Sequence, residues 1–166
     1  ASTVSIAVPL SASTQHDPVN LLWTQYGLAN NTLKLTAHTD LDPMDPVDAI
    51  ASLELKSGDT WKIVASAEVE PLTAMAAFRI ENWDSDTSHV YRVVCGSTLS
   101  EGIISAEPID KRTLKLMAVS CVNDNRFPYG KAVQQMIEQD PDILFFAGDQ
   151  LYQTNAGGET IQALSL

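Results

Sequence analysis

The sequence predicts a two-part protein, in which an N-terminal all-β sandwich is followed by the first βαβ unit of an α/β domain. Short runs of alternating apolar and polar residues fill about the first hundred positions, and nearly continuous apolar runs appear after residue 113. Alternation with a period of two is typical of half-buried strands, whereas continuous apolar runs are typical of strands covered on both faces. The charge balance also changes near residue 110.

Short strands separated by turns are predicted throughout the first part. The segments with strand alternation are 4–10, 21–26, 33–38, 49–55, 60–69, 76–80, 90–95 and 102–106. Turn-forming residues separate them, among them Asn30 and Asn31. Such a series is typical of an immunoglobulin- or fibronectin III-like sandwich. Tyr91 follows a turn and precedes the apolar Val93, which predicts a tyrosine corner; an ordinary strand tyrosine is the alternative.

A domain boundary is predicted near residue 110. Up to Asp110 the chain has 15 acidic and 5 basic residues, and from Lys111 onward it has 6 acidic and 5 basic residues. This shift coincides with the change in apolar pattern. We therefore expect a β-sandwich over residues 1–110 and the start of a second domain over residues 111–166.

The second part predicts a strand, a helix and a strand. Residues 114–121 and 143–147 form the two apolar runs, and residues 131–139 between them have one apolar and one polar face. Gly130 begins this helix and Pro141 ends it, because proline cannot continue the hydrogen-bond ladder. A crossover of this kind sets its two strands parallel in one sheet.

Residues that can bind a metal follow both predicted strands. Cys121 and Asp149 lie at the carboxyl ends, where α/β sheets gather ligands, and Tyr152 can turn back to the same point. A thiolate, a carboxylate and a phenolate suit a hard cation such as ferric iron, and the thiolate broadens the choice of metal. Each residue also has an ordinary structural alternative when it is considered alone. Cys121 can be a small buried apolar residue, Asp149 can be a loop or cap residue after a strand, and Tyr152 can be a packing residue.

At these residues the chain resembles a known family. Three motifs are similar to the opening of the metallophosphatase domain of PhoD-like alkaline phosphatases and phosphodiesterases. They are Ser120-Cys121 after a buried strand, Gln139-Asp140-Pro141-Asp142 at a helix end, and the segment from Phe146 to Tyr152 that contains Asp149. The upstream sandwich is similar to that family's N-terminal domain. The resemblance implies a secreted or periplasmic enzyme that hydrolyses phosphate mono- or diesters with Fe³⁺ and Ca²⁺. It implies that Cys121 and Tyr152 ligate iron and that Asp149 bridges iron to calcium, and it leaves the catalytic groups unassigned.

The second domain is expected to be incomplete. The family's later histidine and aspartate ligands have no counterpart in the 166 residues, and a two-stranded sheet would leave Val119, Leu144 and Phe146 poorly covered. We therefore expect an N-terminal fragment that by itself neither retains the full metal cluster nor turns over substrate. Its expected partner is the missing C-terminal part of its own domain. The alternative function is a non-catalytic Ig-like binding or adhesion module.

Composition argues against several classes of partner. A net charge of −11 and a pI near 4.4 disfavour binding to nucleic acid or to an anionic membrane surface. No apolar run approaches the roughly 20 residues that a transmembrane helix needs. The three histidines show no ligand spacing. The two cysteines leave a Cys95–Cys121 disulfide open, and such a bond would remove the predicted thiolate ligand.

Overall fold

The computed structural model describes residues 18–44, 47–121 and 129–149, so the predicted strand at 4–10 lies outside the described part. The elements of that part follow the predicted order of a β-rich region and then a strand, a helix and a strand. They are β1 (Leu21–Ala29), β2 (Thr32–Thr39), β3 (Ile50–Ser57), β4 (Thr60–Glu70), β5 (Met75–Glu81), β6 (His89–Cys95), β7 (Thr98–Ile104), β8 (Leu116–Val119), α1 (Gly130–Gln139) and β9 (Ile143–Phe146).

The first seven strands form one antiparallel sheet in the order β1-β2-β5-β4-β3-β6-β7. We call its two halves sheet I (β1, β2 and β5) and sheet II (β3, β4, β6 and β7). The halves are joined where the end of β4 pairs with Met75 and Ala76 of β5. On the opposite side β1 lies against β7, and the Leu21 N–H donates to Thr98 Oγ1 over 2.6 Å. The sheet is therefore sandwich- or barrel-like, which confirms the predicted all-β N-terminal part.

The hydrophobic core lies between the two halves of this sheet. Because successive strand residues face opposite sides, every second residue points inward. Leu33 and Leu35 of sheet I meet Leu53, Val93 and Ile104, and all five are at most 1% exposed. Among the described residues, every buried apolar side chain lies between positions 19 and 104. Apolar burial therefore stabilises the β part.

Tight turns set the register of the strands. Asn30 and Asn31 have φ angles of 51° and 54°, as a type I′ hairpin turn requires, and they connect β1 to β2. A second two-residue turn begins at Gly96, with φ 57°, and pairs Cys95 with Thr98. Strand β7 therefore starts four residues before the predicted 102–106 segment. The prediction was wrong there because a two-residue turn leaves almost no break between strands.

Tyr91 is buried in the core but does not form the predicted tyrosine corner. Its side chain is 5% exposed, and its hydroxyl lies 2.9 Å from the Thr24 hydroxyl on β1. The ring packs over Gly102, its partner on β7, and meets Tyr26 edge-on with the ring centroids 6.4 Å apart. Tyr91 thus connects sheet II to sheet I, because its partner is a side chain of the facing sheet rather than nearby upstream backbone.

The second part contains the expected strand–helix–strand unit. Strands β8 and β9 are parallel, with Leu116 paired to Ile143 and Val119 to Phe146. Helix α1 ends at Gln139, and its C-cap residue Asp140, with a left-handed φ of 46°, precedes Pro141. Leu144 and Phe146 are 45% and 55% exposed, as expected for a sheet of two strands. In the part of the chain that the structure describes, no helix has the length and apolar character to cross a membrane.

Candidate functional site

The candidate site lies where β8 and β9 end side by side. Parallel pairing places both carboxyl ends at one edge of the sheet. The pairing continues one step past the strands, since the Ala147 N–H donates to the Val119 carbonyl over 2.8 Å. Cys121 and Asp149 come two residues after these partners, so the register itself brings them to the same edge.

Two side-chain contacts connect the ends of the strands. Cys121 Sγ lies 3.6 Å from Asp149 Oδ2, close enough for the thiol to donate to the carboxylate. The Ser120 hydroxyl donates to the Gly148 carbonyl over 3.2 Å and lies 3.4 Å from Cys121 Sγ. All four residues are exposed to solvent. The structure thus brings together two of the three predicted metal ligands, and Tyr152 lies outside the described residues.

The backbone at both candidate ligands is left-handed. Cys121 has φ 59° and Asp149 has φ 53°, while Gly148 between β9 and Asp149 has φ 99°. Side-chain-bearing residues seldom adopt this conformation, which costs of the order of 1 kcal/mol or more at each position. The strand ends therefore turn sharply, and these turns aim the thiol and the carboxylate at each other.

The separation of these two atoms fits joint coordination of one cation. A tetrahedral ion bound at about 2.3 Å by sulfur and about 2.1 Å by oxygen needs those two ligand atoms about 3.6 Å apart. Cys121 Sγ and Asp149 Oδ2 have that separation. Within the described residues no group of three or more His, Cys, Asp or Glu side chains is placed to hold a metal. Cys121 and Asp149 are therefore a candidate pair of ligands.

An ion pair fixes the opposite end of the same two strands. Lys111 Nζ contacts Asp142 Oδ1, and Asp142 Oδ2 accepts the Lys115 backbone N–H over 2.9 Å. The Lys115 carbonyl in turn accepts the N–H groups of Asp142 and Ile143. The hydrogen bond from Lys111 lowers the pKa of Asp142, and the same contact raises the pKa of Lys111. This pair attaches the segment before β8 to the start of β9.

The described cysteines are both free, so the structure holds no Cys95–Cys121 disulfide. Cys95 ends β6 and is 1% exposed inside the sandwich, whereas Cys121 is exposed at the strand ends. Burial raises the pKa of the Cys95 thiol, with a smaller contribution from the negative charge of Asp40. Cys121 is therefore the solvent-accessible thiol of the described chain.

The described histidines lie away from the strand ends. His38 on β2 stacks on Trp23 with the ring centroids 3.6 Å apart and the planes 13° from parallel. His89 on β6 contacts Thr87 and the Asp84 carbonyl. Neither histidine joins Cys121 or Asp149.

No model of a known protein family matches the chain, and a search of curated proteins also returns no match. The resemblance in the strand-end motifs therefore stays a prediction.

Proposed function

We propose that the chain belongs to a metal-dependent phosphoester hydrolase of the PhoD-like kind, which acts on phosphate mono- or diesters. The observation that carries this proposal is the convergence of Cys121 Sγ and Asp149 Oδ2 at 3.6 Å. Ligands of an open α/β sheet gather at this edge, and a thiolate beside a carboxylate has the chemistry of a metal site. The motif Gly148-Asp149 after a parallel strand, one crossover beyond Ser120-Cys121, adds support from the sequence.

In this proposal the metal ions are Fe³⁺ and Ca²⁺. Cys121 and Tyr152 would hold the iron, and Asp149 would hold both iron and calcium. Such ions supply positive charge for phosphoryl oxygens and lower the pKa of a bound water. The hydroxyl of Ser120 holds the Gly148 carbonyl, and this bond keeps the two ligand-bearing turns in register. The residues that transfer protons to and from the substrate are unassigned.

We propose that the β part is a fibronectin III-like domain that frames the substrate of a secreted or periplasmic enzyme. Three strands in sheet I and four in sheet II, joined by β4 and β5, support that assignment. The acidic composition is compatible with an exported protein. The exposed faces of β8 and β9 support the proposal that the remaining part of the α/β domain covers them.

Metal binding by the complete encoded protein tests the site directly. We expect Fe³⁺ to produce a ligand-to-metal absorption band, which weakens in Cys121→Ser and in Tyr152→Phe, and the affinity to fall at least about tenfold in Asp149→Asn. Asp110→Asn is the matched control, since Asp110 is exposed and lies outside the site. A spectrum and affinity that are unchanged in all three site variants would refute the ligand assignment.

Hydrolysis is tested on the complete encoded protein. We expect turnover of p-nitrophenyl phosphate or of bis-p-nitrophenyl phosphate in the presence of iron and calcium, with loss of activity in Cys121→Ser and retention in Asp110→Asn. The ratio of the two rates distinguishes monoester from diester preference. Metal binding without turnover of either substrate would support the assignment of the metal site and refute the hydrolase function.

The second candidate is a non-catalytic binding or adhesion module. It is favoured by the distribution of the core, because the buried apolar side chains of the described residues all belong to the β part. A folded β part that binds a partner with unchanged affinity in Cys121→Ser, together with an absence of bound metal, would favour this candidate over the hydrolase.

A further inference from the structure

We propose that the outer face of sheet I binds an acidic saccharide, in a groove that is separate from the metal site. The groove has a volume of about 460 Å³ and crosses all three strands of the sheet. Two in-register rows of outward-facing residues border it. One row is Gln25, Thr36 and Ala77, and the other is Gly27, Lys34 and Arg79.

Small residues make the groove. Gly27 on β1 has no side chain, and a Cβ atom built there meets no atom within 4 Å. Ala77 on β5 adds only a methyl group to the neighbouring row. Between the rows the inward-facing Leu35 and Phe78 leave only backbone on the outer face. The groove is therefore open to solvent where the short residues Gly27 and Ala77 lie, and longer side chains of the two rows border it.

The charge at one end of the groove is opposite to that of the whole protein. Lys34 and Arg79 are directly paired across β2 and β5, although the chain has only 10 basic residues against 21 acidic ones. Like charges at paired positions destabilise a sheet, and an anion placed between them removes that repulsion. Glu81 accepts bonds from Arg79 Nε and Nη2, at 3.2 and 3.1 Å, which leaves Nη1 and the Lys34 ammonium for a ligand.

An aromatic surface lies beyond the groove, on the next row of the same face of sheet I. Trp23 is 46% exposed and is braced by the stacked ring of His38, one row beyond Gln25 and Thr36. This row lies four positions along β2 from that of Lys34, a distance of about 13 Å. The C–H face of a sugar ring packs on such an indole, and an acidic group further along an oligosaccharide reaches the cations. A carboxylate or a sulfate would serve.

The experiment compares acidic and neutral oligosaccharides of equal length by titration calorimetry and by ¹H–¹⁵N NMR. We expect tetragalacturonate or a heparin-derived tetrasaccharide to bind with millimolar or better affinity, to shift the amides of Gly27, Lys34 and Arg79, and to bind more weakly as salt is added. The ligand that binds more tightly shows whether the groove prefers a carboxylate or a sulfate. Equal binding of maltotetraose, or no shift with either acidic ligand, would overturn the proposal. Tighter binding of ATP or of an acidic peptide would also overturn it.

Variants give effects of opposite sign. Lys34→Gln should weaken binding about fivefold, whereas Glu81→Gln should strengthen it, because it frees the Arg79 guanidinium. Lys62→Gln, the same change at an exposed lysine of sheet II, is the control and should have no effect. Gly27→Leu should block the groove, with the fold checked by NMR. Unchanged affinity in Lys34→Gln and Glu81→Gln would refute the role of the cations, and neither result depends on Cys121 or on hydrolysis.

Discussion

Cys121 Sγ lies 3.6 Å from Asp149 Oδ2, and both residues have left-handed backbone conformations with φ angles of 59° and 53°. The parallel register of β8 and β9 brings the two residues to one edge, and the left-handed turns direct their side chains toward each other. Residues with a Cβ atom adopt this conformation at a cost in free energy. The backbone conformation that brings these two side chains together therefore lowers the local stability of the strand ends.

This loss of stability predicts that glycine at position 121 stabilises the strand ends while it removes the thiol. Cys121→Gly should increase the local stability of β8 and β9 by about 0.5–1 kcal/mol, because glycine adopts a φ of 59° without steric cost. Hydrogen exchange of the Ala147 amide, which bonds to the Val119 carbonyl, measures the effect. Cys121→Ala removes the thiol but keeps the Cβ atom, so protection should not rise in this control. Equal protection in the two variants would contradict the strain argument.

The sequence predicted the proximity of Cys121 and Asp149 but not the details of the turns around them. Parallel strands have their carboxyl ends at one edge, so a crossover helix between two apolar runs was enough to place Cys121 near Asp149. The left-handed turns and the bond from Ser120 to the Gly148 carbonyl had no local signal. Both depend on how the ends of β8 and β9, about 28 residues apart in sequence, meet in space. The spacing of apolar residues along the chain carries no information about that meeting.

The β part shows the same division between local and non-local information. The predicted strands between 21 and 95 are present, because alternation and the turn at Asn30 and Asn31 are local properties. The partner of Tyr91 was missed, because Thr24 lies 67 residues away on the facing sheet. The groove beside Lys34 was missed for a similar reason, since its rows exist only once β1, β2 and β5 are in register.

The ion pair between Arg92 and Glu54 should stabilise sheet II measurably. Arg92 Nη2 and Nε lie 2.7 and 2.8 Å from Glu54 Oε2, and the two side chains are 25% and 12% exposed. The guanidinium also lies over the Trp61 ring, 4.5 Å from its centroid. Arg92→Met or Glu54→Gln should each lower the free energy of unfolding by about 1–3 kcal/mol, because each leaves a poorly solvated charge without its partner.

A double-mutant cycle in urea separates the pair from the packing of Arg92 on Trp61. We expect the double variant Arg92→Met, Glu54→Gln to be less destabilised than the sum of the single variants. Arg79→Met is the matched control, since its partner Glu81 is exposed and its loss should cost less than about 1 kcal/mol. Strict additivity of the Arg92 and Glu54 effects would show that the pair contributes no coupling.

The burial of His38 predicts that acid destabilises the β part. Burial lowers the pKa of His38, whose ring is covered by Trp23. The unfolded chain binds a proton at this histidine near pH 6.5, whereas the folded chain binds it only at lower pH, so stability falls as the pH decreases below about 6.5. His38→Gln should reduce the loss of stability between pH 7.5 and 5.5, measured by urea denaturation. An NMR titration midpoint for His38 at or above 6.5 would contradict this prediction.

Gly102 should be the least replaceable residue of β7, because the Tyr91 ring occupies the space above it. A Cβ atom at position 102 would lie 2.8 Å from Cε1 of Tyr91. The ring cannot move away freely, since its hydroxyl is bonded to Thr24 at 2.9 Å and its side chain is buried. Gly102→Ala should therefore lower the free energy of unfolding by about 1–3 kcal/mol, despite the better strand propensity of alanine.

Gly27→Ala is the matched control, since a Cβ atom at that strand position meets nothing within 4 Å, and its Tm should stay equal or rise. Tyr91→Phe releases the ring from Thr24, so adding it to Gly102→Ala should cost less than the two changes measured separately; full additivity would show that the hydroxyl does not hold the ring in place.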